Sequence, residues 1–147
     1  MSKLTKIKTY PAKEKPALAF EEQLTEYQVI EQSATGISIN HLNRVSDKYD
    51  LSVQEWADIM GISTKSIQRY QQQENILSPT QTEFVLKTEQ LYKIGKEVFG
   101  NTENFKQWLQ KPAYGIGNKI PSKILNTISG INLVINHVMR IAHGVLA

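Results

Sequence analysis

Apolar residues recur at three- and four-residue intervals along most of this chain, and no stretch alternates with period two for long enough to make a strand. The pattern predicts an all-α fold. Its sharpest segment is Val53 to Gln72, VQEWADIMGISTKSIQRYQQ. There Trp56, Met60, Ile62, Ile67 and Tyr70 supply apolar faces that lock two short helices together. Ala57 falls where the two helices approach too closely for a larger side chain. Gly61 follows where the turn needs a backbone free to take positive φ. Ser52 and Glu55 are spaced as a capping box for the first helix, and Ser63 can cap the second. The segment is expected to be a helix-turn-helix.

Ser63, Thr64, Lys65, Gln68 and Arg69 are left on the start and outer face of the second helix. These polar and cationic groups can reach phosphates and base edges of double-stranded DNA. A helical hairpin with a solvated outer face fits the same spacing, so from these residues alone both readings stand.

On either side the periodicity predicts further helices. Residues 1–17 are basic, hold two prolines and show no sustained period, so they are expected to form a flexible arm. That arm is either a solubilising tail or a phosphate-contacting one. Residues 18–32 take up helical spacing through Phe20, Leu24, Tyr27 and Ile30/Glu31, and Gly36 breaks the run. Ile37, Leu42, Val45 and Tyr49 mark a second helix ending near Asp50. Ser78, Pro79 and Gln81 then signal a new start. Phe84, Leu91, Ile94 and Val98 line that helix as far as Gly100, making it a connector between two halves. The division expected is 18–100 for a DNA-binding domain and 101–147 for a second, smaller one.

The last third is built differently. Asn101-Thr102-Glu103 can start a short helix carrying Phe105, Trp108 and Leu109, and Lys111 to Lys119 has the glycines and proline of an ordered turn. Pro121 is expected to start another short helix with Ile124, Leu125 and Ile128, closed by Gly130. Ile131 to His143 forms the final helix, with Val134, Val138 and Ile141 on one face beside Ile135 and Met139. The closing Gly144-Val145-Leu146-Ala147 is apolar. Either it packs on its own domain or it docks into something else.

Charge changes this picture more than composition does. The 147 residues are 40% hydrophobic, as in an ordinary globular domain, and no apolar run reaches the roughly 20 residues of a membrane span. The cationic N-terminus lacks the apolar segment of a signal peptide. The absence of cysteine excludes a disulfide scaffold and thiolate metal sites, and suits the cytoplasm. The net charge of +3 conceals an asymmetry: residues 1–20 carry +4, residues 21–86 carry −6 and residues 87–147 carry +5. The helix-turn-helix thus sits in an acidic segment, yet no acid lies between Asp58 and Glu74, so its second helix is a small positive island. Modest DNA affinity per subunit, raised by forming a homodimer and by the basic arm, is the expectation.

The last third resembles the toxin-binding domain of the Xre/MbcA/ParS antitoxins, partners of RES-type toxins. The resemblance runs from Val98-Phe99-Gly100 through Trp108-Leu109, the glycine-rich loop and Pro121. It continues through Leu125 and Gly130 to Arg140-Ile141-Ala142-His143-Gly144-Val145. The front half is similar too, since these antitoxins carry an Xre-like helix-turn-helix before a linking helix. The resemblance therefore implies an N-terminal Xre-like helix-turn-helix domain, a linking helix and a small helical toxin-binding domain. It further implies an antitoxin that blocks the NAD pocket of a RES-type toxin by steric occlusion. By the same resemblance the covering surface includes Tyr114, Asn118, Lys119, Arg140, His143, Gly144 and Val145. Read without the family, Arg140 and His143 are cations complementing a helix dipole in a solvated last turn. Two departures stand out. Where the family has a second glycine and a small polar residue before the proline, this chain has Gly117-Asn118-Lys119-Ile120. The second helix of the motif also lacks the paired arginines often seen there, which bears on the operator recognised.

Enzymatic chemistry finds no constellation in the sequence. His41, His137 and His143 are scattered, and six residues separate the last two, which places them on different helix faces. Gly115-Ile116-Gly117 lacks the strand-to-helix setting of a phosphate loop. No catalytic group, metal or cofactor is expected. The competing reading is a helix-turn-helix transcriptional regulator whose C-terminal domain serves dimerisation or effector sensing.

Overall fold

The structure, a computed structural model, describes residues 23–144. Among the described residues the chain forms seven α-helices, two 3-10 turns and no strand. The expected arm, Phe20 and the apolar residues after Gly144 lie outside them. In order the helices are α1 (Glu26–Thr35), α2 (Ile39–Tyr49), α3 (Val53–Met60) and α4 (Thr64–Gln72). They continue with α5 (Pro79–Phe99), α6 (Thr102–Leu109) and α7 (Ile128–Ala142). The 3-10 turns, Tyr114–Ile116 and Pro121–Ile124, lie between α6 and α7.

Capping chemistry sets most of these boundaries. Ser52 and Glu55 bond reciprocally at the start of α3, and Ser78 and Gln81 do the same at α5, where Pro79 supplies the first turn. Asn101 caps α6 by accepting the Asn104 backbone N–H at 2.7 Å. Asp50 ends α2 in the left-handed region at φ 55°, a conformation that aspartate tolerates better than most residues.

Two boundaries differ from the sequence expectation. Thr25 and Gln28 form a further capping box, so α1 starts after Thr25 and runs on to Thr35. Its buried residues are Val29 and Ser33, while Tyr27 and Ile30 are 68% and 63% exposed. The helix thus packs on α5 through a different face from the one its larger apolar residues mark. The second difference concerns Gly130, which closes no helix. It lies in the first turn of α7, whose cap Thr127 accepts the Gly130 N–H at 2.9 Å. A Cβ there would stand 1.7 Å from the Ile124 carbonyl oxygen, so the close approach of the Pro121–Ile124 turn requires glycine.

The centre of the molecule is α5. It packs against α1, α2, α3, α6 and α7, and one hydrophobic core runs continuously from Trp56 and Tyr49 to Phe105, Ile131 and Val138. Gly95 lets α6 approach closely: a Cβ there would meet the Phe105 ring at 2.5 Å. Trp56 is fully buried, with its indole Nε1 donating to Ser46 Oγ. Burying such a side chain stabilises the fold by about 2–3 kcal/mol.

Candidate DNA and toxin interfaces

The helix-turn-helix is built as its residues require. Gly61 takes φ 69° and its N–H closes α3 on the Ala57 carbonyl at 2.8 Å. Ala57 is 5% exposed at the joint, and Ile67 anchors α4 in the core. Cross-helix polar pairs then fix α4 in place. Gln71 Nε2 donates to Asn43 Oδ1 of α2 at 3.1 Å, and Gln81 Nε2 of α5 donates to the Tyr70 hydroxyl at 3.4 Å. These pairings were invisible in the sequence, because the partners belong to different helices and their pairing carries no periodic signal.

On this scaffold Lys65, Gln68 and Arg69 are exposed and Thr64 is half-buried. Ser63 is committed to structure, its Oγ accepting the Ser66 N–H at 3.1 Å. The Arg69 guanidinium lies over the Tyr70 ring, 5.2 Å from its centroid, which narrows the directions it can take. The outer face of α4 thereby presents two cations and an amide on a held helix.

The second surface gathers around α7. The turn before Pro121 is pinned by Ala113 N–H to the Lys119 carbonyl and by Asn118 N–H to the Ala113 carbonyl, both at 2.9 Å. Gly117 and Asn118 take φ 72° and 61° in succession. Asparagine enters the left-handed region more readily than most residues, so Asn118 fills a glycine-like role. Ile116 is buried as the anchor, and the turn around it packs on α7. Tyr114 is thrust into solvent at 89% exposure. Asn118 and Lys119 are exposed on the same turn, while Arg140, His143 and Gly144 are exposed at the far end of α7. Val145 lies outside the described residues.

His137 was not singled out by the sequence, and it is buried at 4% exposure. Its ring stacks on Trp108 with centroids 5.8 Å apart, and its Nδ1 finds no partner among the described residues. Burial, then the nearby Arg140 charge, hold its pKa below the ordinary histidine value. It therefore acts as a neutral aromatic in the core. No grouping of three His, Asp or Glu among the described residues could hold a metal ion. No helix among them is long and apolar enough to cross a membrane.

Two family models match this arrangement. The antitoxin Xre-like helix-turn-helix domain matches residues 28–87, and the antitoxin Xre/MbcA/ParS C-terminal toxin-binding domain matches residues 95–144. The chain belongs to the Xre/MbcA/ParS antitoxins. The first match takes in the helix-turn-helix and the front of α5. The second takes in the end of α5, α6, the pinned turn and α7. No curated protein matches the chain. This antitoxin thus joins a DNA-binding domain to a toxin-binding domain through one shared helix.

Proposed function

We propose that this antitoxin neutralises a RES-type toxin, one that consumes NAD or transfers its ADP-ribose, by covering the entrance to the toxin's NAD pocket. It also represses its own operon, binding operator DNA as a homodimer. In this reading residues 18–100 serve DNA, residues 101–147 serve the toxin, and the basic arm 1–17 strengthens the grip on DNA. Recognition works by surface complementarity in the cytoplasm, with no cofactor and no chemistry of the antitoxin's own.

The observation that carries the reading is the pinned turn within the toxin-binding match, with Tyr114 89% exposed. A rigidly held aromatic loses little conformational freedom on binding and often anchors an interface. Asn118, Lys119, Arg140, His143, Gly144 and Val145 complete the proposed covering surface. Lys119 and Arg140 would pair with acceptors that otherwise meet a dinucleotide phosphate or its protein partners. On the DNA side Lys65, Gln68 and Arg69 are the proposed reading residues. Thr64 would contact the backbone, and Ser63 would hold the helix start.

Co-expression with a candidate cognate RES-type toxin tests this. The expected result is restored growth and a co-purifying complex, with Tyr114→Ala weakening both. Failure to rescue growth, with no complex formed, would leave a transcriptional regulator whose C-terminal third serves dimerisation or effector sensing.

A further inference from the structure

Away from both surfaces, a cavity of about 250 Å³ opens where the helix-turn-helix meets the last third of the chain. Glu55 and Asp58 line it from α3, three residues apart and so on one helix face. Its cations come from other elements, Lys106 from α6 and Lys123 from the Pro121–Ile124 turn. Ile59, Leu109 and Leu125 supply apolar lining.

Tyr92 of α5 points to what the cavity holds. It is 3% exposed, and its ring is held by Tyr49 at 5.8 Å and edge-on by Phe105 at 5.2 Å. It nevertheless lines the cavity, and its hydroxyl makes no hydrogen bond to a described residue. Burial and the Glu55 carboxylate raise its pKa, so the phenol stays a neutral donor at physiological pH. The ring is buried while the hydroxyl reaches the cavity, so its hydrogen bond goes to solvent or to a guest there. Spare capacity surrounds it. The bonds to Glu55, from Ser52 N at 2.8 Å and Lys106 Nζ at 3.5 Å, both fall on Oε1. Asp58 accepts from Gln54 Nε2 on Oδ1 alone.

The lining selects by charge. A simple anion would meet two carboxylates and a simple cation two ammonium groups. A neutral guest would leave the second oxygens of Glu55 and Asp58 and the Lys123 ammonium unanswered, Lys106 being bonded already to Glu55 and to the Asp50 carbonyl. The volume, near the lower end for ligand sites, restricts the guest to a small metabolite. We propose that the cavity binds a zwitterion of the α-amino-acid type. Its ammonium sits on Glu55 and Asp58, its carboxylate on Lys106, Lys123 and the Tyr92 hydroxyl, and an aliphatic side chain on the apolar lining. Because α3 belongs to the helix-turn-helix match and both lysines to the toxin-binding match, such a guest ties the two domains together.

L-leucine is the probe, titrated into the full-length protein by calorimetry and by thermal melting. The expected result is saturable binding with a rise in melting temperature. 4-Methylpentanoate and 3-methylbutylamine, each keeping one charge, should bind at least about ten-fold more weakly. Tyr92→Phe and Lys123→Ala should each weaken leucine about five-fold or more. Lys123 is exposed, so that variant carries the test should Tyr92→Phe fail to fold. No binding at about 20 mM leucine, equal binding of either one-charge analogue, or unaltered binding by Lys123→Ala would overturn the proposal.

Discussion

Ala57, 5% exposed beneath the turn of the helix-turn-helix, has no room for a branched side chain. Ala57→Leu should therefore lower stability by about 1–3 kcal/mol through overpacking. An unchanged denaturation midpoint would contradict the packing at that joint. Lys65 and Arg69 make the opposite case, since both side chains are exposed on α4. Replacing either with Ala should leave the melting temperature unchanged and weaken operator binding by about 1–3 kcal/mol if it reads a base. Affinity equal to wild type in a filter-binding or anisotropy assay would return that residue to a solvated face. His137 gives the fold a pH dependence of definite sign. Its pKa is lowered in the folded state, so as pH falls below about 6.5 the unfolded chain takes up a proton first. Stability contributed by neutral His137 is present above that value and drains away as acid is added. Urea midpoints at neutral and mildly acidic pH should differ more for wild type than for His137→Phe, and parallel curves would refute this. Glu89 acts in a separate window below about 4.5, because the hydrogen bond from His41 holds its carboxyl below the ordinary range.

Helix starts were the most legible elements, and the reason is local. A cap is decided by residues three apart, so Ser52 with Glu55, Ser63, Ser78 with Gln81 and Asn101 all announced themselves in the sequence. The Thr25–Gln28 box and the Thr127 cap are just as local and were nonetheless missed, and other positions depended on contacts between elements. Gly130 has a helix-breaker's identity, but its role is set by the Ile124 carbonyl, and Gly95 is explained only by the ring of Phe105. The face of α1 was misread because Tyr27 and Ile30 mark a stripe that α5 does not cover. At the proposed toxin surface, Tyr114, Asn118 and Lys119 gain meaning from the turn that pins them, while His137 carried no signal in the sequence. One prediction belongs to this scale. Deleting Gly144 to Ala147, beyond the end of α7, should weaken toxin neutralisation and leave operator binding nearly intact. Equal loss of both activities would show that the segment serves folding instead.

At the scale of the molecule, α5 holds a DNA-binding domain and a toxin-binding domain on one continuous core. Charge follows the same division, −6 over residues 21–86 and +5 over residues 87–147. Two of the acidic half's four cations, Lys65 and Arg69, lie on α4 and the other two, Arg44 and Lys48, on α2, and its net negative charge limits non-specific attraction to the duplex. The basic half offers Lys119 and Arg140 at exposed positions. Occlusion of the toxin's substrate pocket is the claim on which this account turns, and NAD consumption by the purified cognate toxin measures it most directly. Titrating in the antitoxin should bring turnover to background as the complex saturates, with excess NAD opposing assembly. A stable complex that continues to consume NAD at the rate of free toxin would contradict it.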